Sequence, residues 1–231
     1  MAVKAKKLAI FDIDGTIFRS SLLIELVEAL IQEKIFSPSA LKIYETARKQ
    51  WLDRKGEYDD YIAAVVESFK KNLKGVDYDD FLKVARKVVL LNKDRVYRFT
   101  RDLIKKLKRR KYYLLAVSNS PQAVVKEFCK NLGFNKVYGR LYEVDEKNRF
   151  NGEILFLDLI IDKAKILKRA TEKENLTLKG SIGVGDTESD IRFLKLVDNP
   201  ICFNPNKKLF NYAKRMKWSI VVERKNVIYK L

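Results

Sequence analysis

The chain of 231 residues contains no histidine. Triads built on imidazole and metal sites ligated by imidazole are thereby excluded, so any chemistry must run on carboxylates, hydroxyls and lysines. Cysteine is nearly as scarce. Cys129 and Cys202 sit in apolar contexts without C-x-x-C spacing, which reads as two buried free thiols rather than a disulfide or a zinc site. No apolar run approaches the roughly 20 residues that span a bilayer. The run Leu8–Phe11, behind Lys4, Lys6 and Lys7, is too short for a signal-peptide core and meets Asp12 at once. The expected location is therefore cytoplasmic, with no membrane partner. Repeats and low-complexity linkers are also missing, and a composition 47% hydrophobic and 34% charged fits a globular chain, one domain or a core plus an insertion.

Acidic residues are outnumbered, and the net charge of +18 favours anionic partners: phosphorylated substrates, nucleic acid or an acidic surface. The densest basic cluster, Lys105-Lys106-Leu107-Lys108-Arg109-Arg110-Lys111, has Leu103, Ile104 and Leu107 at helical spacing. It reads as the solvated face of a helix, and without interleaved aromatics nucleic acid is possible but not favoured.

The most informative stretch present is Phe11-Asp12-Ile13-Asp14-Gly15-Thr16. Leu8–Phe11 is short, apolar and bounded by a glycine turn, as in a buried parallel strand. Open α/β sheets place ligands at the C-terminal ends of such strands. A spacing of two puts the Asp12 and Asp14 side chains on one side of an extended chain, where two like charges call for a cation, a shared proton, or both. The plain alternative is a strand-to-turn exit.

Residues 20–95 then show helical periodicity and no strand. Leu22, Leu23, Leu26, Val27 and Leu30 form one stripe, Tyr61, Ile62, Val65, Val66 and Phe69 a second, and Phe81, Leu82, Ala85, Val88 and Val89 a third, with a helix start at Ser37-Pro38. From residue 100 strands and helices alternate. Strands are expected at Tyr112–Val117, Ser181–Gly185, Pro200–Phe203 and Ser219–Val222, with a hairpin over 138–156 and helices over 100–110, 122–132, 160–174, 188–197 and 207–216. The expected fold is a Rossmann-like parallel sheet with helices on both faces and an inserted all-helical unit.

Three further sites fall at predicted strand ends. The Ser118 hydroxyl and the amides of Asn119 and Ser120 suit phosphate oxygens, unless Ser118 is a plain helix cap. In Gly185-Asp186-Thr187-Glu188-Ser189-Asp190, Asp186 leaves a strand and Asp190 lies about one turn on, giving oxygen ligands of the kind Mg2+ prefers. Lys163, in Asp162-Lys163-Ala164-Lys165, opens a helix and reads by itself as a solvated charge.

The ordered set Asp12-x-Asp14-Gly15-Thr16, Ser118, Lys163 and Gly185-Asp186-x-x-x-Asp190 resembles the four motifs of the haloacid dehalogenase superfamily of phosphatases. The helical insert after the first motif is similar in position to the alpha-helical cap of its phosphoserine-phosphatase-like branch. The tail from Asn199-Pro200 through Phe203-Asn204-Pro205-Asn206, then Lys217-Trp218, is similar to that branch as well. The resemblance implies a core over residues 1–18 and 96–231 and a cap over 19–95. It implies hydrolysis of small-molecule phosphomonoesters, with Asp12 as nucleophile forming an aspartyl-phosphate and Asp14 as general acid and base. Mg2+ would be held by the Asp12 carboxylate, the Asp14 main-chain carbonyl and Asp186, with Asp190 in support. Ser118, Asn119 and Lys163 would bind the phosphoryl oxygens, Lys165 being the alternative if the register is off by two. A phosphotransferase using the same intermediate, or a nucleic-acid-binding protein on this fold, are the other readings. Phosphoserine phosphatases usually carry an acid a few positions after the first motif. Here Phe18-Arg19-Ser20-Ser21 is basic and hydroxylic and Glu25 is the first acid, which leans toward an ester with extra negative charge, such as a sugar or nucleotide phosphate.

Overall fold

A computed structural model describes residues 5–231, so Lys4 and the rest of segment 1–4 lie outside the described residues. In chain order the elements are β1 (Lys6–Asp12), α1 (Leu22–Gln32), α2 (Ser39–Leu52), α3 (Tyr58–Leu73), α4 (Tyr78–Asn92), α5 (Arg98–Arg109), β2 (Tyr113–Pro121), α6 (Gln122–Cys129), β3 (Lys136–Val144), β4 (Phe150–Leu155), α7 (Leu157–Ile160), α8 (Lys163–Lys173), β5 (Leu176–Gly185), α9 (Ile191–Leu194), β6 (Asn199–Phe203), α10 (Lys207–Met216), β7 (Ser219–Arg224) and β8 (Val227–Lys230).

The strands form one sheet in the order β4-β3-β2-β1-β5-β6-β7-β8. Six are parallel, and β4 and β8 run antiparallel at the two edges. Strand β1 lies in the middle because both its faces are apolar. Leu8 and Ile10 pack against α8, α9 and α10 through Leu167, Phe193 and Leu209, while Ala9 and Phe11 face the opposite cluster with Val124 and Phe128 of α6. The strand order reverses direction between β1 and β5, and that switch point leaves a crevice at their C-terminal ends.

Helices α1 to α4 contain no strand, as the periodicity predicts. The chain leaves for them and returns at one place: Arg19 N donates to Arg95 O, and Tyr97 N to Ile17 O, both at 2.9 Å. The helices share an apolar cluster with one face of the sheet. Edge-to-face ring contacts seat them there, Phe18 on Phe128 at 5.3 Å, Phe69 on Tyr142 at 5.3 Å and Phe81 on Phe150 at 5.0 Å. On α5, Ile104 and Leu107 are buried while Lys105, Lys106, Lys108 and Arg109 face solvent, as expected of the basic cluster. Cys129 and Cys202 are both buried and free. Among the described residues, no helix is long and apolar enough to cross a membrane.

The structure differs from the sequence expectation in several places, among them β2, which runs on to Pro121, and α6, which ends at Cys129. The helix expected over 188–197 is a 3-10 turn (Glu188–Asp190) followed by the short α9, because Thr187 and Asp190 cap each other reciprocally and end the tighter turn. The helix expected from 160 begins at Lys163, where Asp162 accepts from Ala164 N, and α7 is separate from it. Strand β5 begins at Leu176, pairs with Lys6 and Lys7, and shifts register before Ala9. Strand β8, four residues long, pairs with β7 and was not expected from so short a run.

Candidate active site

Asp12 is the last residue of β1 and is 4% exposed. A carboxylate there loses most of its hydration, and the compensating charge comes from Lys163, the first residue of α8. Its Nζ donates to Asp12 Oδ1 at 2.5 Å and to Asp190 Oδ1 at 2.6 Å, with all three side chains buried. Those two carboxylates hold Lys163 above its ordinary pKa even though burial pushes the other way, so it stays cationic. Lys165 instead reaches the Asp158 carbonyl on the exposed side of the helix.

Asp190 is fully buried, and both its oxygens are engaged. Oδ2 accepts from Asp186 N at 3.0 Å and Thr187 N at 3.2 Å, while Oδ1 accepts from Lys163. It holds the turn after β5 in shape rather than facing the crevice with a free oxygen. Asp186 does face the crevice, and Thr16 Oγ1 donates to its Oδ1 at 3.1 Å. Thr16 stood in the first motif without a role, and this bond to a residue 170 positions away is its structural reason. Gly15 sits at φ +78°, and a Cβ there would land inside the Asp186 carboxylate. Gly15→Ala is expected to displace Asp186 and cost about 1–3 kcal/mol of stability, checked by chemical denaturation together with Mg2+ titration.

Asp14 is held away from that cluster. Its Oδ1 accepts from Leu22 N at 2.6 Å, at the start of α1, and its Oδ2 accepts from Ser118 Oγ at 2.5 Å and Ser120 Oγ at 2.9 Å. Ser118 lies in β2, which runs on to Pro121, and not at a helix cap. Its hydroxyl, 2% exposed, also accepts from Ser120 N. Asn119 and Ser120 line the crevice above it. The hydroxyl contact of Ser120 with Asp14 carried no separate sequence signal. Nor did Tyr58, which comes from the helical segment to the crevice with its hydroxyl against Ser21. Burial, with the Asp14 and Asp186 charges, raises the Tyr58 pKa.

One oxygen each from Asp12, Asp186 and Asp190 lies within 4.8 Å of the others. With Asp14 nearby, four carboxylates face one lysine. Burial raises Asp12 to about 7, raises Asp14, and raises Asp186 well above the ordinary carboxylate value. Such a set demands protons or a second cation, and its all-oxygen chemistry suits a hard divalent ion such as Mg2+. The sign of the linkage follows from the raised values. The stability these groups contribute is full below the unfolded carboxylate pKa near 3.8 and is lost as pH rises through the folded value, about 7 for Asp12. A bound cation replaces the missing protons at higher pH. The gain in melting temperature from Mg2+ over EDTA is therefore expected to grow between about pH 5 and about pH 8 in scanning calorimetry. A gain that is constant or shrinks over that window contradicts this assignment.

Fold and site together define an open, doubly wound α/β protein with an acidic, cation-demanding centre at its switch point. The chain belongs to the haloacid dehalogenase-like hydrolases, whose family model matches residues 9–195. Phosphoserine phosphatase of Archaeoglobus fulgidus is 22% identical over 213 residues, 91% of this chain and 56% of that protein, so the chain spans little more than half of its relative's length. A Bordetella pertussis Tohama I protein of unknown function has a similar structure, with a TM-score of 0.71, 15% identity and coverage of 94% of this chain and 98% of that one. A phosphoserine phosphatase in apo form has a TM-score of 0.63 at 21% identity, covering 95% of this chain and 94% of that one. These structural likenesses show a shared fold.

Proposed function

We propose that the protein is a Mg2+-dependent phosphatase of small-molecule phosphomonoesters that works through an aspartyl-phosphate on Asp12. The observation that carries this reading is the buried Asp12–Lys163–Asp190 arrangement at the C-terminal end of β1, with Asp186 within ligand distance. Lys163 fixes Asp12 Oδ1, and Oδ2, which accepts no hydrogen bond among the described residues, is the oxygen that attacks phosphorus in line. The phosphorus–oxygen ester bond breaks, and the leaving oxygen takes a proton from Asp14, whose burial raises its pKa in the direction a general acid needs. To reach that oxygen Asp14 trades one of its bonds to Leu22, Ser118 or Ser120. It then accepts a proton from the water that hydrolyses the aspartyl-phosphate.

Asp12, the Asp14 main-chain carbonyl and Asp186, with Asp190 behind them, would hold Mg2+, which when bound would supply the charge that lets an anionic nucleophile meet an anionic phosphate. Lys163, Ser118 and the Asn119 amide stabilise the phosphoryl oxygens. Residues 19–95 act as a cap on the core formed by 1–18 and 96–231, because Trp51, Tyr58 and Ile62 of that segment wall the crevice. The test is phosphate release from a panel of phosphomonoesters with Mg2+ or EDTA, with and without an added alcohol. Release that needs Mg2+ and ignores the alcohol supports a hydrolase. Transfer to the alcohol makes the protein a phosphotransferase, and no release from any ester by folded protein overturns the reading.

A further inference from the structure

The crevice extends well beyond the reacting atoms, with a volume of about 550 Å³. Its charged walls fall into two sets. Asp59 and Glu188 are both ion-paired to Lys208, at 3.7 and 2.7 Å. Glu25, behind Ser20, accepts from Ser20 and pairs with Arg95 at 2.8 Å. Lys163 is held between Asp12 and Asp190. That leaves Arg19 and Arg140 as lining charges with no carboxylate partner among the described residues. The Arg19 guanidinium lies 5.6 Å over the Tyr97 ring, which positions it without neutralising it. Arg140, on β3, has its Nε buried without a hydrogen-bond partner, a state that costs free energy until a ligand or water completes it. The rest of the wall is mixed, with Leu23, Trp51, Ile62 and Val66 beside the hydroxyls of Ser20, Ser21, Thr187 and Ser189.

Resting on the phosphatase reading above, we propose that the substrate is a phosphomonoester carrying a second anionic group, received by Arg140 and Arg19. The second group is a carboxylate or a second phosphate. Asp59 and Glu188 share the single charge of Lys208, so the two guanidiniums of Arg19 and Arg140 outweigh the one carboxylate charge left over, and the outer wall favours an anion over the amine of phosphoserine. Arg140 and Arg19 are specificity-determining residues that touch the far end of the substrate and take no part in bond making.

The test uses alkyl phosphates of graded length, each matched with its ω-carboxylate and its ω-phosphate, together with O-phosphoserine and its amine-free analogue. The doubly anionic esters are expected to exceed their alkyl partners by about 10- to 100-fold in kcat/KM, the range of a charge-assisted hydrogen bond. The better of the carboxylate and phosphate arms identifies the second group, and O-phosphoserine is expected to fall below its amine-free analogue. Arg140→Gln and Arg19→Gln are expected to shrink that ratio through KM, with kcat little changed, and Arg140→Lys to restore part of it. Ratios near one at every length, ratios untouched in both variants, or O-phosphoserine as the best ester would overturn the proposal. Should no ester be turned over, the phosphatase reading fails by itself. Calorimetric binding of alkyl and ω-carboxyalkyl phosphonates to wild type and Arg140→Gln then decides anion recognition separately. Preference for the carboxylate form, lost in the variant, sustains it, and equal binding ends it.

Discussion

Replacing Asp12 by asparagine is expected to lower turnover by about 10⁴-fold or more while leaving the protein as stable as wild type or more so. The side chain keeps its shape, and its oxygen can still accept from Lys163. The amide, however, is no nucleophile, and a nucleophile removed from a site that acts as a unit costs nearly the whole rate. Stability moves the other way because the wild-type carboxylate is buried beside Asp14 and Asp190, which raises its pKa to about 7. Removing that charge relieves the desolvation at neutral pH in the absence of Mg2+. Phosphate release and melting temperature, measured on one preparation in EDTA, check both halves. A variant that loses activity by losing stability would show damage to the fold instead of removal of the nucleophile.

Lys163→Met is expected to have the second-largest effect, on stability as well as rate. Lys163 is 7% exposed and, among the described residues, is the lone cation bonded to Asp12 and Asp190, so its loss strands two buried carboxylates. Breaking a buried ion pair from one side costs about 3–5 kcal/mol. For a chain of this length that is a fall in melting temperature of about 2–4 °C per kcal/mol. Mg2+ is expected to restore part of the stability, since a second cation can answer the same carboxylates, but not the turnover, since the phosphoryl oxygens lose a donor. Lys163→Arg is not expected to rescue, because a planar guanidinium does not fit a buried slot shaped for a compact ammonium. Thermal melts in EDTA and in Mg2+ separate these outcomes.

The features most legible in the sequence are those whose signal is local. The apolar run Leu8–Phe11 is buried on both faces, and such a strand reads directly as a central parallel one. The stripe at Leu22–Leu30 faces the core as its spacing requires, and so do Phe81, Ala85, Val88 and Val89 of the later stripe, where Val84 is buried in place of the expected Leu82. Bonds between residues far apart in the chain were not legible. Thr16 with Asp186, and Ser120 with Asp14, join positions that only the assembled sheet brings together. The register of the lysine motif was ambiguous for a geometric reason. Lys163 and Lys165 are two apart on a helix, so their side chains leave opposite sides, and only the packing of α8 on the sheet decides which one faces Asp12. The 3-10 turn after β5 escaped because Asp190 there is used as a cap and counter-charge, which overrides the helical pattern of the residues that follow.

The most direct test of the account is a single-turnover experiment with an ester labelled at phosphorus, quenched in acid and followed by peptide mapping. The account predicts transient label on the peptide containing Asp12, released by hydroxylamine as an acyl-phosphate and absent from Asp12→Asn. Label that passes to phosphate without ever residing on the chain, or that settles on a residue other than Asp12, would contradict it.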